Sequence, residues 1–201
     1  MRILVVGATG TIGSAISSAL ASRGHHVLRA GATRSELMID LASPESIERL
    51  YAAAGPLDAV VCAAGQAQFG PLEGLTDAAF LSGLASKLMG QVNLVRRGIG
   101  VVREGGSFTL TSGDLSQSPA PGSTLVTTTG AAVEAFARAA AIDLAGRYRV
   151  NVVSPGWVAE SRVRAGLPAM PGIWANDLAA HYVALVEGSA TGQVVAATRS
   201  P

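Results

Sequence analysis

The sequence predicts an α/β fold: a doubly wound parallel sheet of about seven strands with helices on both faces, forming a single domain over residues 1–201. Three observations carry that prediction. Short apolar runs alternate with segments of helical apolar period, a glycine-rich turn joins the first such pair, and 201 residues are enough for one substantial core.

The elements follow in order. RILVV (2–6) is an apolar run stopped by glycine, the pattern of a buried strand. Ile12, Ile16, Ala19 and Leu20 fall at helical spacing across 11–23, with Gly24 placed to stop the helix. A second strand is expected over 25–30 and a short third over 37–40. In SPESIERLYAAAG (43–55), Ser43 reads as N-cap and Pro44 as the first helical residue, with Ser46 where a full capping box would have Glu. LDAVVCAAG (57–65) is another buried strand. Phe80, Leu84, Leu88, Val92, Val95, Ile99 and Val102 recur every three or four residues, which predicts a long helix over 76–103. Then come strand 107–111, a helix within 123–144, strand 149–153, helix 175–187 and strand 193–197. The long irregular pieces are 112–123 and 156–174, and within the latter 157–174 reads as a short substrate-side segment.

Composition narrows the function. A formal net charge of +1 gives no footprint for nucleic acid or an anionic membrane surface. The apolar run before Gly7 is too short for a signal peptide, and no uninterrupted apolar stretch approaches a membrane span of about 18 residues. Cys62 is the only cysteine, which suits a reducing compartment, so a cytoplasmic domain is expected. His25, His26 and His181 have no metal-ligand spacing.

GATGTIG (7–13) places Gly7, Gly10 and Gly13 between a strand and a helix, with Thr9, Thr11 and Ile12 among them. Such a turn lets backbone approach a pyrophosphate, and the helix N-terminus then supplies free N–H groups and partial positive charge. The segment after the second strand, RAGATRSE (29–36), has no acid before Glu36 to take ribose hydroxyls. Arg34, flanked by Thr33 and Ser35, suits a 2′-phosphate, which favours NADP(H) over NAD(H). The competing reading of Arg34 is a solvated loop residue, with Arg29 as a substitute.

These pieces resemble the short-chain dehydrogenase/reductase superfamily over nearly the whole chain: GATGTIG, Asp40-Leu41, CAAG (62–65), RVNVVSPGWV (149–158) and TGQVV (191–195). The resemblance implies that Asp40 and Leu41 lie beside the adenine, that Ala63, Ala64 and Gly65 pass close to its ribose, and that Pro155, Gly156 and Val158 border the nicotinamide. Typical members use Ser, Tyr and a Lys four residues after the Tyr, assisted by an Asn. Carried onto this chain, the Tyr position falls on Val126, the Lys position on Gly130 and the Asn position on Lys87, the only lysine present. The Ser position falls on Ser112 or its neighbour Gly113.

Ser112 and Lys87 are thus the candidate catalytic residues. Near a cofactor Lys87 would be a proton donor of lowered pKa or a clamp on a phosphate or ribose oxygen; beside the Leu84/Leu88 stripe it also reads as a solvated lysine. Thr127, Thr128 and Thr129 either supply hydroxyls to the catalytic turn or cap free N–H groups of the helix start. Trp157, Leu167, Met170 and Trp174 either line a substrate pocket or cover the core. The resemblance implies a homodimer or homotetramer built on the long helices, with Ala131, Ala132, Ala135 and Ala139 permitting close packing.

The expected function is NADP(H)-dependent hydride transfer on a small carbonyl or alcohol substrate. Loss of Tyr and Lys supports a rival, a dinucleotide-binding protein without catalysis. A sugar-nucleotide epimerase is a weaker third, since no added C-terminal substrate domain is present.

Overall fold

A computed structural model describes residues 1–164 and 172–198. Seven strands form one wholly parallel sheet in the order β3-β2-β1-β4-β5-β6-β7. They are β1 (Arg2–Val6), β2 (His26–Gly31), β3 (Leu37–Met38), β4 (Leu57–Cys62), β5 (Val102–Thr111), β6 (Arg149–Pro155) and β7 (Val194–Ala197). The helices are α1 (Thr11–Ser22), α2 (Pro44–Ala54), α3 (Asp77–Gly83), α4 (Gly90–Gly98), α5 (Thr124–Asp143), α6 (Ala159–Arg164) and α7 (Ala175–Glu187). The strand order changes direction between β1 and β4, so the carboxyl ends of those strands open the crevice where ligands bind in such sheets.

Period-two alternation along each strand builds two cores. Leu4, Val6, Val60, Cys62, Phe108 and Leu110 pack with residues of α2, α4 and α5 on one face. Ile3, Val5, Ala59 and Val61 pack with α1 and α7 on the other. On that second face Ser107 and Thr109 of β5 are fully buried, and among the described residues their hydroxyls have no hydrogen-bond partner. Thr111 completes that row, its hydroxyl 2.6 Å from the Cys62 carbonyl and 2.7 Å from the Tyr182 hydroxyl.

Most expected elements stand within a residue or two, and β1 and α7 have the expected bounds. Ser43 caps α2 by accepting the Ser46 amide at 3.1 Å. The helix expected over 76–103 differs in two ways. It runs from Asp77 to Gly98, and its middle, Leu84–Met89, is a π segment between α3 and α4. Ile99 leaves the helix in extended conformation, Gly100 turns the chain at φ +87, and Val102 already belongs to β5. The three-or-four spacing of Ile99 and Val102 is therefore coincidental.

Helix α5 has the length and mean hydropathy of a membrane span, although its threonines, Glu134, Arg138 and Asp143 interrupt the apolar run. Here it is a core helix, burying Val133, Ala137, Ala140 and Ala141 against the sheet.

Candidate active site

The first glycine turn is fixed by close approach. A Cβ on Gly13 would stand 2.1 Å from the Gly7 carbonyl oxygen, and one on Gly7 would stand 2.7 Å from the Ala63 oxygen. Gly7 also has φ +85, open to glycine at little cost. The Gly7 and Ala8 amides donate to Ala30 O at 2.8 and 3.0 Å, tying the turn to β2. Gly10 is the N-cap of α1 and gives it no side-chain bond, and the first turn holds no acid. Among the described residues the amides of Thr11, Ile12 and Gly13 have no side-chain acceptor, which leaves the start of α1 open to an anion.

A cavity of about 500 Å³ opens beside this turn, lined by Gly7, Gly31, Asp40, Leu41, Ala64 and Gly65 among others. That volume falls in the range of small-molecule sites. The structure brings five of the expected cofactor residues onto one cavity, and Thr9 Oγ1 lies 3.0 Å from where a Gly31 Cβ would be. The Asp40 carboxylate accepts the Ala42 amide, and its own amide donates to Ser46 Oγ, both at 2.9 Å, which holds the Asp40-Leu41 corner in place.

Arg34 is exposed, does not line this cavity and makes no hydrogen bond or ion pair among the described residues. Its φ of +51 is rare for a side-chain-bearing residue. Arg29 donates to Ala8 O at 3.3 Å, at the glycine turn. The cation on the cavity wall is Arg49 of α2, which the sequence reading missed.

Lys87 sits in the π segment, and its chain runs along Gly65: a Cβ there would lie 3.0 Å from Lys87 Cα and 3.1 Å from Cδ. Burial lowers the Lys87 pKa, against a weaker opposing effect of Cys62. Lys87 is half-buried, and among the described residues its amine has neither ion pair nor hydrogen bond. Gln91, also missed, clamps this segment to β5: Nε2 donates to Lys87 O at 3.0 Å and Thr111 O at 2.9 Å, while Oε1 accepts the Thr111 amide at 2.9 Å.

At the end of β5, Ser112 turns toward α5 and is only 8% exposed. Its hydroxyl donates to Glu134 Oε1 at 2.8 Å. Glu134 is 1% exposed and also accepts Ser116 Oγ at 2.5 Å and Gln117 Nε2 at 2.8 Å. Gly113 has a clear position: a Cβ there would meet only Pro155 O, at 3.9 Å. Gly130 lies over the serines, where a Cβ would be 3.5 Å from Ser116 Cβ and 3.9 Å from Ser112 Cβ. A lone acid in the apolar run GAAVEAFARAAA was the available signal for Glu134.

The threonine run does not cap free amides. Thr128 and Thr129 bond the carbonyls of Thr124 and Leu125 in their own helix. Thr127 reaches Leu115 O at 2.9 Å and so ties α5 to the 3₁₀ turn Asp114–Ser116. Across the cleft, Asp114 Oδ2 is 3.3 Å from the Cβ position of Gly156, next to Pro155, and desolvation raises the Asp114 pKa. Val158 is buried in the α1/α7 core. Trp157 and Trp174 are largely exposed, while Leu167 and Met170 lie outside the described residues.

Residues 7–196 match the family model described as enoyl-(acyl carrier protein) reductase. The chain belongs to the short-chain dehydrogenase/reductase superfamily. The protein lin1944 from Listeria innocua shares 35% identity with this chain at a TM-score of 0.92, with 98% of each chain covered. A small-chain dehydrogenase solved in complex with NADPH shares 26% identity at TM-score 0.85, over 98% of this chain and 95% of that one. A short-chain dehydrogenase from Burkholderia cenocepacia, solved with NADP, has the same fold at 24% identity and TM-score 0.85, covering 98% and 95%. No curated protein matches the sequence.

Proposed function

We propose that this short-chain-type oxidoreductase uses NADP(H) to interconvert a small carbonyl compound and its alcohol. The observation that carries the reading is the α1 N-terminus without a side-chain cap, behind a glycine turn that opens on the cavity of about 500 Å³. Gly7, Gly10, Gly13 and the first-turn amides would hold the diphosphate, and Asp40, Leu41, Ala64 and Gly65 the adenosine. When bound, a nicotinamide supplies or accepts hydride at its C4. Lys87, desolvated along Gly65, would clamp a ribose oxygen. Ser112 would hold the substrate oxygen. Arg34, exposed and unpaired, remains the proposed 2′-phosphate ligand, with Arg49 as a second cation at the cavity.

In this reading Val126 and Gly130 stand where relatives keep Tyr and Lys. A positioned general acid is worth about 10²–10⁴-fold, less than the contribution from holding the reactants together. Loss of the pair therefore leaves room for catalysis. A stripe of Ala135, Ala139 and the 76% exposed Ile142 on α5 suits the proposed self-association.

The test is calorimetry with NADPH and NADH, then NADPH consumption across a panel of aliphatic and aromatic aldehydes and ketones. Binding of NADPH with turnover that Ser112→Ala and Lys87→Ala each abolish supports the reading. Binding without turnover on any panel member leaves the non-catalytic alternative. No heat with either nucleotide at millimolar concentration removes the assignment.

A further inference from the structure

We propose that Glu134 is the proton-holding group of this site and acts through Ser112; the inference rests on the oxidoreductase reading. The carboxylate is buried between α5 and the turn after β5, with both oxygens engaged by neutral donors. The cation nearest to it among the described residues, Arg138, stands 3.8 Å away with a half-exposed side chain. A joint between helix and turn needs no charge, and a buried carboxylate is costly to desolvate. What the charge adds is a destination for a proton.

A serine hydroxyl has one hydrogen to give. At Ser112 that hydrogen points at Glu134 Oε1, so any other partner meets the serine's lone pairs. Gly130 places no side chain over Ser112 and Ser116. An alcohol held against Ser112 thus donates to Oγ, and the proton path continues to the carboxylate. In oxidation, the substrate O–H proton passes to Ser112 Oγ while the serine's own proton passes to Glu134 Oε1. The electron pair of the O–H bond becomes the second bond of the carbonyl. The adjacent C–H bond breaks, its pair leaving as hydride to the oxidised nicotinamide, and Glu134 ends as the neutral acid. Reduction runs the same transfers backwards, with Glu134 returning the proton through Ser112. Glu134 touches no reactant in this scheme and is a positioning residue with a proton of its own.

Two measurements test it on the full-length protein. Without cofactor, the infrared difference between wild type and Glu134→Gln isolates the Glu134 carboxylate bands. Ser112→Ala is expected to shift them, and unshifted bands would overturn the shared proton. With NADPH and the best carbonyl of the panel, Glu134→Gln is expected to lower kcat at least about a hundredfold while changing the NADPH Kd less than twofold. A folded Glu134→Gln with wild-type kcat overturns the proposal and leaves the oxidoreductase reading standing. Wild-type protein that binds NADPH but turns over nothing overturns the relay and the catalytic reading together; absence of NADPH binding fails the cofactor assignment itself. Should Glu134→Gln not fold, Glu134→Asp carries the test: the shortened carboxylate draws back from Ser112, and kcat falls while NADPH affinity stays.

Discussion

The two halves of this sheet keep different things. Around β1, β2 and β4 the molecule holds its backbone to tolerances that admit no side chain: Gly13 against Gly7, Gly7 against Ala63, Gly65 against Lys87. Around β5 and α5 the backbone has slack, and side chains set the geometry, with Glu134 gathering Ser112, Ser116 and Gln117. A diphosphate is recognised by amides and a helix end, for which shape is the determinant. A proton is handled by functional groups, which can be exchanged while the scaffold stands. On the proposed reading, the first half would hold the nucleotide by backbone shape and the second would handle the proton with side chains.

Substitutions can break or sharpen that contrast. The largest effect is expected from Gly13→Ala, whose methyl would overlap the Gly7 carbonyl. Stability should fall by about 3 kcal/mol, the upper end for overpacking, or roughly 6–12 °C in Tm for a domain of this size, with NADPH binding lost. Differential scanning calorimetry and titration check both. Next comes Lys87→Ala, expected to weaken NADPH at least about tenfold by losing one charge-assisted hydrogen bond, while Tm stays or rises because a desolvated amine is removed. An unchanged Kd would detach Lys87 from the nucleotide half.

Gly130→Ala should do the opposite of Gly13→Ala. Its methyl meets ordinary contacts at 3.5 and 3.9 Å, so helix propensity decides, and thermal unfolding should show a gain of about 0.5–1 kcal/mol. The smallest effect concerns Glu187, held down to about 2 by Arg23 first and His25 second. A lowered folded pKa contributes stability that is complete above pH about 4.5 and lost as pH falls toward about 2. In Glu187→Gln, acid unfolding followed by circular dichroism should lose its slope in that window only, since Glu187 lies far from either site.

The same contrast explains what could be read from the chain alone. β1, the Ser43 cap and the glycine turn are local: neighbours within a few residues determine them, and each was legible. The end of the long helix was not, because Ile99 and Val102 keep helical spacing across Gly98 and Gly100. Asp40, Leu41, Ala64 and Gly65 are assigned to one site by the resemblance to the short-chain family, and the strand order brings them onto one cavity. Pairing Ser112 with Glu134 needs α5 seated on β5 across 22 positions of chain, a tertiary fact with no local trace. Arg49 escaped for the same reason, being a lone cation on an amphipathic helix until β3 and α2 meet beside the cavity.

The π segment Leu84–Met89 has a further consequence for the evolution of such chains. A residue added to an α-helix rotates everything beyond it by about 100°. A wide turn absorbs such an insertion locally, so that α4 keeps its apolar side on the sheet. Deleting one residue ahead of Lys87 would trade the bulge for regular helix and change how Lys87 sits against Gly65 without substituting any remaining residue. Insertions and deletions in this short stretch are therefore a route by which descendants of the chain could retune their chemistry.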